Sequence, residues 1–197
     1  MKRMAINFVN LLLASMMLVS CDCCTEDPSI DIEYSLVCSK DLLEYATPKV
    51  VYTANSGTPI SINISENEWE EIETADPSVK TTIVINGDTV TSDSKLIKWK
   101  KHVHYGEFSI VDDMMEVTYE PKEKAEGVII FANPFKHHLS ASLEFIDEDG
   151  GIHKPVIISS SIEDVVGTKR SLKEIIEGYS DRYGFHVESN GKYSVIK

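Results

Sequence analysis

From Ile30 the chain alternates: Ile30, Ile32, Tyr34, Leu36 and Cys38 share one parity, while Asp31, Glu33 and Ser35 take the other. Period two sustained this long predicts a half-buried strand with Cys38 turned to the core. The pattern then recurs. Lys49 to Ala54 reads as a strand after Pro48, and Thr58 to Ser65 as another, with Ile60, Ile62 and Ile64 on one face. Glu66 to Val79 is acidic and irregular, a long loop with Trp69 and Ile72 as plugs beneath it. Thr81 to Asn86 and Asp88 to Thr91 flank Asn86-Gly87, a dipeptide that accepts positive φ at both centres of a type I′ turn.

Ile97, Trp99, Val103 and Tyr105 share a face of the next strand, with Lys101 breaking the pattern in its middle. Phe108 to Val111 and Met115 to Tyr119 read as a pair of strands around Asp112-Asp113, the second ended by Pro121. Gly127 to Ala132 is a continuous apolar run, as a central strand requires. Leu139, Ala141, Leu143 and Phe145 alternate up to a tight turn at 147–151. Ile152, Val156 and Ile158 return from it, with Pro155 marking an edge. One helix is predicted: Ser171 and Glu174 form a capping box, and Leu172, Ile175, Ile176 and Tyr179 follow at helical spacing. Asn190-Gly191 then joins a final hairpin of Phe185 to Ser189 and Lys192 to Ile196. That hairpin either extends the main sheet or packs with the helix as a separate layer. About ten closely spaced strands predict a mostly-β antiparallel sandwich, immunoglobulin-like or similar, with a C-terminal αββ appendage over about 165–197.

Ahead of this domain the pattern changes. Lys2 and Arg3 precede an apolar run from Ile6 to Val19, broken by Asn7, Asn10 and Ser15. It is too short and too interrupted for the ~20 apolar residues of a spanning helix. It closes on Leu18-Val19-Ser20-Cys21, which resembles a bacterial lipobox. The resemblance implies cleavage before Cys21 and acylation of its thiol and new amino group. Residues 1–20 are then a lipoprotein signal peptide, 21–29 an acylated tether and 30–197 a single domain. Several acyl chains, at ~0.8 kcal/mol per buried CH₂, hold a protein on a membrane without any spanning segment. The implied location is the cell envelope, at the outer membrane, facing the periplasm or the surface.

Charge narrows the partners. The whole chain carries a net charge of −13; without Lys2 and Arg3 it has 17 Lys+Arg against 32 Asp+Glu, a net of −15. Such a surface repels nucleic acid and anionic headgroups. With Cys21 acylated, Cys23, Cys24 and Cys38 remain, in a compartment where disulfides form. Adjacent cysteines rarely bridge each other, so either Cys38 pairs with Cys23 or Cys24, or all three stay reduced.

Two further segments carry a resemblance. Ser39 to Pro48 followed by Val50-Val-Tyr-Thr53, with the later Trp99 and Val103-His-Tyr105, resembles small lipoproteins of unknown function from anaerobic Gram-negative gut bacteria. The likeness covers about the first two-thirds of the mature chain and implies a location rather than an activity. Asp88-Thr89-Val90 is similar to the short motif at which those bacteria O-glycosylate exported proteins, which makes Thr89 a candidate attachment site.

No segment matches a nucleophile elbow, a zinc-protease helix, a P-loop or a dinucleotide fingerprint, so no catalytic residue and no cofactor is expected. Asp147 to Gly150 fails as a calcium loop: counted from Asp147, position 5 is Gly151 and position 12 is Ile158. His102 and His104 project from one strand face, but no third ligand can be placed, and no metal is expected. Lys98 and Lys100 share their parity, so Lys98, Lys100, His102 and His104 form a basic stripe. The stripe either steers an anionic ligand or, more simply, answers acidic strands beside it. Trp69 is a candidate sugar-stacking platform as well as a loop plug. The expectation is an envelope-anchored, non-enzymatic module binding a glycan or an envelope protein. The alternative is a structural or assembly component of a surface appendage or envelope complex.

Overall fold

A computed structural model describes residues 27–55, 57–72, 80–85, 88–93, 95–126, 128–129, 135–163 and 170–197. The leader, Cys21, Cys23, Cys24, the Asn86-Gly87 turn and most of the Gly127–Ala132 run lie outside them. Fourteen strands are described, and ten of them form two antiparallel five-stranded sheets packed as a sandwich. The first sheet contains β1 (Ser29–Ser39), β4 (Glu70–Ile72), β7 (Leu96–Tyr105), β10 (Lys136–Ile146) and β11 (Ile152–Glu163), in the order β11-β10-β1-β7-β4. The second contains β2 (Ala46–Ala54), β3 (Ile60–Ile62), β8 (Ile110–Pro121), β13 (Ser180–Glu188) and β14 (Tyr193–Ile196), in the order β14-β13-β8-β2-β3. Two small pairs stand apart, β5 (Lys80–Ile85) with β6 (Asp88–Asp93) and β9 (Val128–Ile129) with β12 (Arg170–Ser171).

β1 lies at the centre of the first sheet, and its alternation is met in full. Ile30, Ile32, Tyr34, Leu36 and Cys38 are all buried. β10 repeats the pattern beside it with Leu139, Ala141, Leu143 and Phe145. β8 occupies the matching position in the second sheet and corrects the reading of 108–119 as two strands. It is one strand of twelve residues, and its buried parity runs Val111, Asp113, Met115, Val117, Tyr119 straight through the expected turn. Asp113 takes a core position because hydroxyls from three neighbouring strands meet it there.

Other differences follow from edges and short elements. Thr58 to Ser65 keeps only the three residues of β3, and Ile60 is exposed, because β3 sits at the rim where little covers it. A second helix, α1 (Lys40–Tyr45), goes unread in the sequence because six residues are too few to show a helical period. It buries Leu42 and Tyr45, and Tyr45 reaches the Phe135 ring at 6.2 Å. Lys101, the break in β7, lies with its amine 4.9 Å from the centre of the Tyr52 ring, so a cation–π contact accommodates it.

The C-terminal helix α2 (Leu172–Gly178) forms with both halves of its capping box. The Glu174 amide donates to Ser171 Oγ at 3.1 Å, and the Ser171 amide to the Glu174 carboxylate at 3.3 Å. Leu172, Ile175, Ile176 and Tyr179 are buried in the same core as the sheets. The last hairpin extends the second sheet, since β13 pairs with β8 along its whole length. Only Gly191 in its turn takes a positive φ, 87°. Pro155 does lie on an edge strand, β11.

Candidate binding cleft and buried polar networks

A cleft of about 610 Å³ opens beside α1, the start of β2 and the 3₁₀ turn Glu66–Glu68. The backbone amide of Ser65 donates to the Glu68 carboxylate at 2.5 Å, which closes that turn and holds Glu68 below the usual carboxylate range. Trp69 leaves it in extended geometry and leads into β4, which pairs with β7. Trp69 is half-buried: it packs against the core and also lines the cleft with Leu43, Pro48 and Ile64. The ring thus sits at the boundary between the core and the cleft. Lys40, Lys122, Glu44, Glu66 and Glu71 bring charges of both signs to the rim, with Asn67 and Thr47 between them. A half-covered aromatic among mixed polar groups suits a ligand with apolar faces and hydrogen-bonding edges. Trp99, in contrast, is buried.

The basic stripe assembles, and acids answer it. Lys100 Nζ lies 2.7 Å from Glu33, while His102 Nε2 and His104 Nδ1 each lie 3.0 Å from the same Asp31 oxygen. Lys98 faces Glu70 in the β4 register. The Glu33 hydrogen bond raises the Lys100 amine above its ordinary pKa. Exposed pairs of this kind contribute about 0–1 kcal/mol each. Their clearer effect is to cancel the positive field that would attract an anion. Thr89 is exposed on β6, one residue beyond its start. The 147–151 turn is satisfied internally: the Asp147 carboxylate accepts from the amides of Asp149 and Gly151 and from His153 Nε2. Among the described residues, no group of three or more His, Cys, Asp or Glu is placed to hold a metal ion.

The sequence reading missed two buried networks that join the sheets. In the first, Tyr34 Oη donates to Asp113 Oδ1 at 2.5 Å, and Tyr52 and Tyr105 both donate to Oδ2. Tyr34 and Tyr105 belong to the first sheet, Tyr52 and Asp113 to the second. In the second network the Cys38 thiol bonds to the Tyr119 hydroxyl, which lies 2.9 Å from His137 Nδ1. His137 Nε2 in turn lies 3.0 Å from Asp181. Again each sheet supplies two members. The sequence signal for both was parity: four tyrosines with core parity need polar partners for their hydroxyls.

Chemically these are pins rather than sites. Cys38, Tyr119 and His137 are all buried, and burial pushes the Cys38 thiol up to about 12, so it is no nucleophile at neutral pH. Its sequence-suggested disulfide partners, Cys23 and Cys24, lie outside the described residues.

The tyrosines do predict a pH response. Burial, reinforced by Asp113, raises Tyr34 and Tyr52 far above 10, and burial raises Tyr119 likewise; Tyr105 is pushed up to about 12. The folded chain therefore keeps protons that the unfolded chain releases above about pH 10. That stability is fully present below the unfolded value and is lost as pH rises, by ~1.4 kcal/mol per pH unit for each such tyrosine. Urea unfolding followed by circular dichroism on either side of about pH 10 should show a steep fall. Tyr34→Phe should remove close to one proton from the slope.

A scan against protein-family models, a search of curated proteins and a search of solved structures each return no significant match.

Proposed function

We propose that the chain is an envelope lipoprotein, acylated at Cys21, whose sandwich is a non-catalytic binding module taking a glycan or protein ligand at the Trp69 cleft. The observation that carries this reading is the cleft itself: a half-buried tryptophan between apolar walls and a rim of both charge signs. The stripe Lys98, Lys100, His102, His104 is the weaker candidate, since Lys100, His102 and His104 already lie against Glu33 and Asp31. Support for the anchor comes from the Leu18-Val19-Ser20-Cys21 box behind a basic start.

Two measurements test the halves of the proposal. In detergent phase partition, Cys21→Ala should move the whole population to the aqueous phase; unchanged partitioning rejects the anchor. A glycan array and an envelope-protein pull-down, run at low and high salt, then test the module. Binding at the cleft should hardly respond to salt and should be lost in Trp69→Ala. A ligand that survives Trp69→Ala but is displaced by salt points to the stripe instead, because exposed charges are screened beyond ~8–10 Å. Trp99 is buried, so ligand-dependent change in indole fluorescence reports on Trp69.

A further inference from the structure

The charges around the Trp69 cleft answer one another. Glu71 lies 2.9 Å from Lys95, and that bond, with Lys40 adding to it, holds its carboxyl below the ordinary range. Glu44 lies 3.8 Å from Lys124, and Lys122 Nζ donates to the Leu43 carbonyl at 2.6 Å. The ammonium groups of Lys40, Lys95, Lys122 and Lys124 are thus interspersed with the carboxylates of Glu44, Glu66 and Glu71. Signs mixed in this way leave little net field to attract an ion of either charge. Charge does not select the occupant here.

Hydrogen bonding does. Among the described residues, the side chains of Thr47, Glu66 and Asn67 have no hydrogen-bond or ion-pair partner, and all three line the cleft. Thr47 and Asn67 can each donate and accept, while the Glu66 carboxylate only accepts. Glu66 and Asn67 stand in the 3₁₀ turn that ends at Trp69. That turn is closed twice, by the Glu68 amide on the Ser65 carbonyl at 3.1 Å and by the Ser65 amide on the Glu68 carboxylate. An aromatic ring and two open polar groups are therefore held on one short, fixed segment, which lowers the ordering cost of binding. Leu43, Pro48 and Ile64 add the apolar walls. An extended peptide fits poorly, because strand addition needs a free edge of some length. The strands on either side of the turn, β3 and β4, have three residues each. A sugar ring fits on both counts, with C–H bonds on its faces and hydroxyls that donate and accept around its rim.

Resting on the cleft reading proposed above, we infer that the cleft takes an uncharged pyranose of a glycan chain, bearing no carboxylate, sulfate or amine. A C–H face of the ring stacks on Trp69, and its hydroxyls bond to Glu66, Asn67 and Thr47. The cleft volume of about 610 Å³ lies within the ~300–1,000 Å³ of small-molecule sites. Acidic and basic sugars are rejected because each would set its charge beside a like charge that already has a partner, Glu71 or Glu44 for one sign and Lys122 for the other.

The probes are soluble oligosaccharides titrated against the full mature chain: neutral chains of glucose, galactose, mannose or xylose, anionic chains of galacturonate or sulfated galactose, and cationic chitosan oligomers. Indole fluorescence and saturation-transfer NMR report binding. At least one neutral chain should bind about tenfold or more tighter than every charged one, with the same affinity at low and high salt. Saturation should fall on the C–H protons of a single sugar face. Trp69→Ala should weaken binding at least about tenfold, and Trp69→Phe, which keeps an aromatic face, much less. Glu66→Gln and Asn67→Ala change exposed side chains without partners, so each should weaken binding about tenfold at an unchanged unfolding midpoint. Tighter binding of a charged chain that is lost in Trp69→Ala overturns the inference and leaves the cleft reading standing. So does an envelope protein that binds through Trp69 when no neutral chain does. Neutral binding untouched by both Glu66→Gln and Asn67→Ala overturns the assigned contacts and with them the inference. If no probe and no envelope protein binds in a Trp69-dependent way, the cleft reading falls as well.

Discussion

Asp113→Ala should destabilise the domain by roughly 3–5 kcal/mol, the range expected when one partner of a buried charged network is removed. Asp113 has no exposed surface, and three hydroxyls point at its two carboxyl oxygens. Alanine leaves the Tyr34 hydroxyl without its acceptor and leaves Tyr52 and Tyr105 only each other, 2.9 Å apart, and each buried donor so stranded costs about 1–3 kcal/mol before relaxation. Tyr34→Phe removes only one bond and keeps the ring, so it should cost less, about 1.5–3 kcal/mol for a bond to a charged acceptor. Asp113→Asn should fall between the two, because the amide keeps one acceptor oxygen and sets a donor against donors. Urea unfolding at neutral pH measures all three. If Asp113→Ala cost no more than Tyr34→Phe, the hydroxyls would have found other partners, and the cage would not join the sheets.

The same cage shows what the sequence could and could not reveal. Strands whose buried face is mostly apolar were legible: β1 announces its parity from Ile30 to Cys38 and β10 from Leu139 to Phe145. The α2 capping box was legible too, because its two hydrogen bonds are local. Asp112-Asp113 was misread as a turn because two carboxylates inside a hydrophobic pattern resemble a loop until their partners are known. Those partners lie on β1, β2 and β7, and nothing near Asp113 in the chain points to Tyr34 or Tyr52. Parity was the usable clue, since Asp113 continues the series Val111, Met115, Val117, Tyr119. The basic stripe was legible for the opposite reason: its answering acids, Asp31 and Glu33, stand on the exposed parity of an already evident strand. The cleft was legible only as Trp69. Its walls come from α1, too short to be read, and from the β2 end that α1 positions.

Gly184→Ala should be about as damaging as a cage mutation, although it removes no contact. Gly184 lies opposite Met114 in the β13–β8 ladder. A Cβ there would stand 2.8 Å from Met114 Cα and 2.9 Å from its Cβ, and closer still to the Asp113 carbonyl oxygen. Two of these three atoms are backbone, so no rotamer change relieves the overlap, and β13 and β8 must move apart. Overpacking typically costs ~1–3 kcal/mol, and a clash with a central strand belongs at or above the top of that range. Gly106 and Gly178 serve as controls, since a Cβ at either meets nothing within 4 Å; alanine there should change stability by less than about 1 kcal/mol. The β8 backbone that meets the new Cβ carries Asp113, so the strain should reach the tyrosine cage. A double-mutant cycle of Gly184→Ala with Tyr34→Phe reads that coupling. Residues sharing a backbone shift should deviate from additivity by at least ~0.5 kcal/mol. The combined loss should therefore be smaller than the two single losses added, because the shifted β8 has already weakened the Tyr34 bond. Strict additivity would mean that β13 moves alone and leaves the carboxyl group where the three hydroxyls hold it.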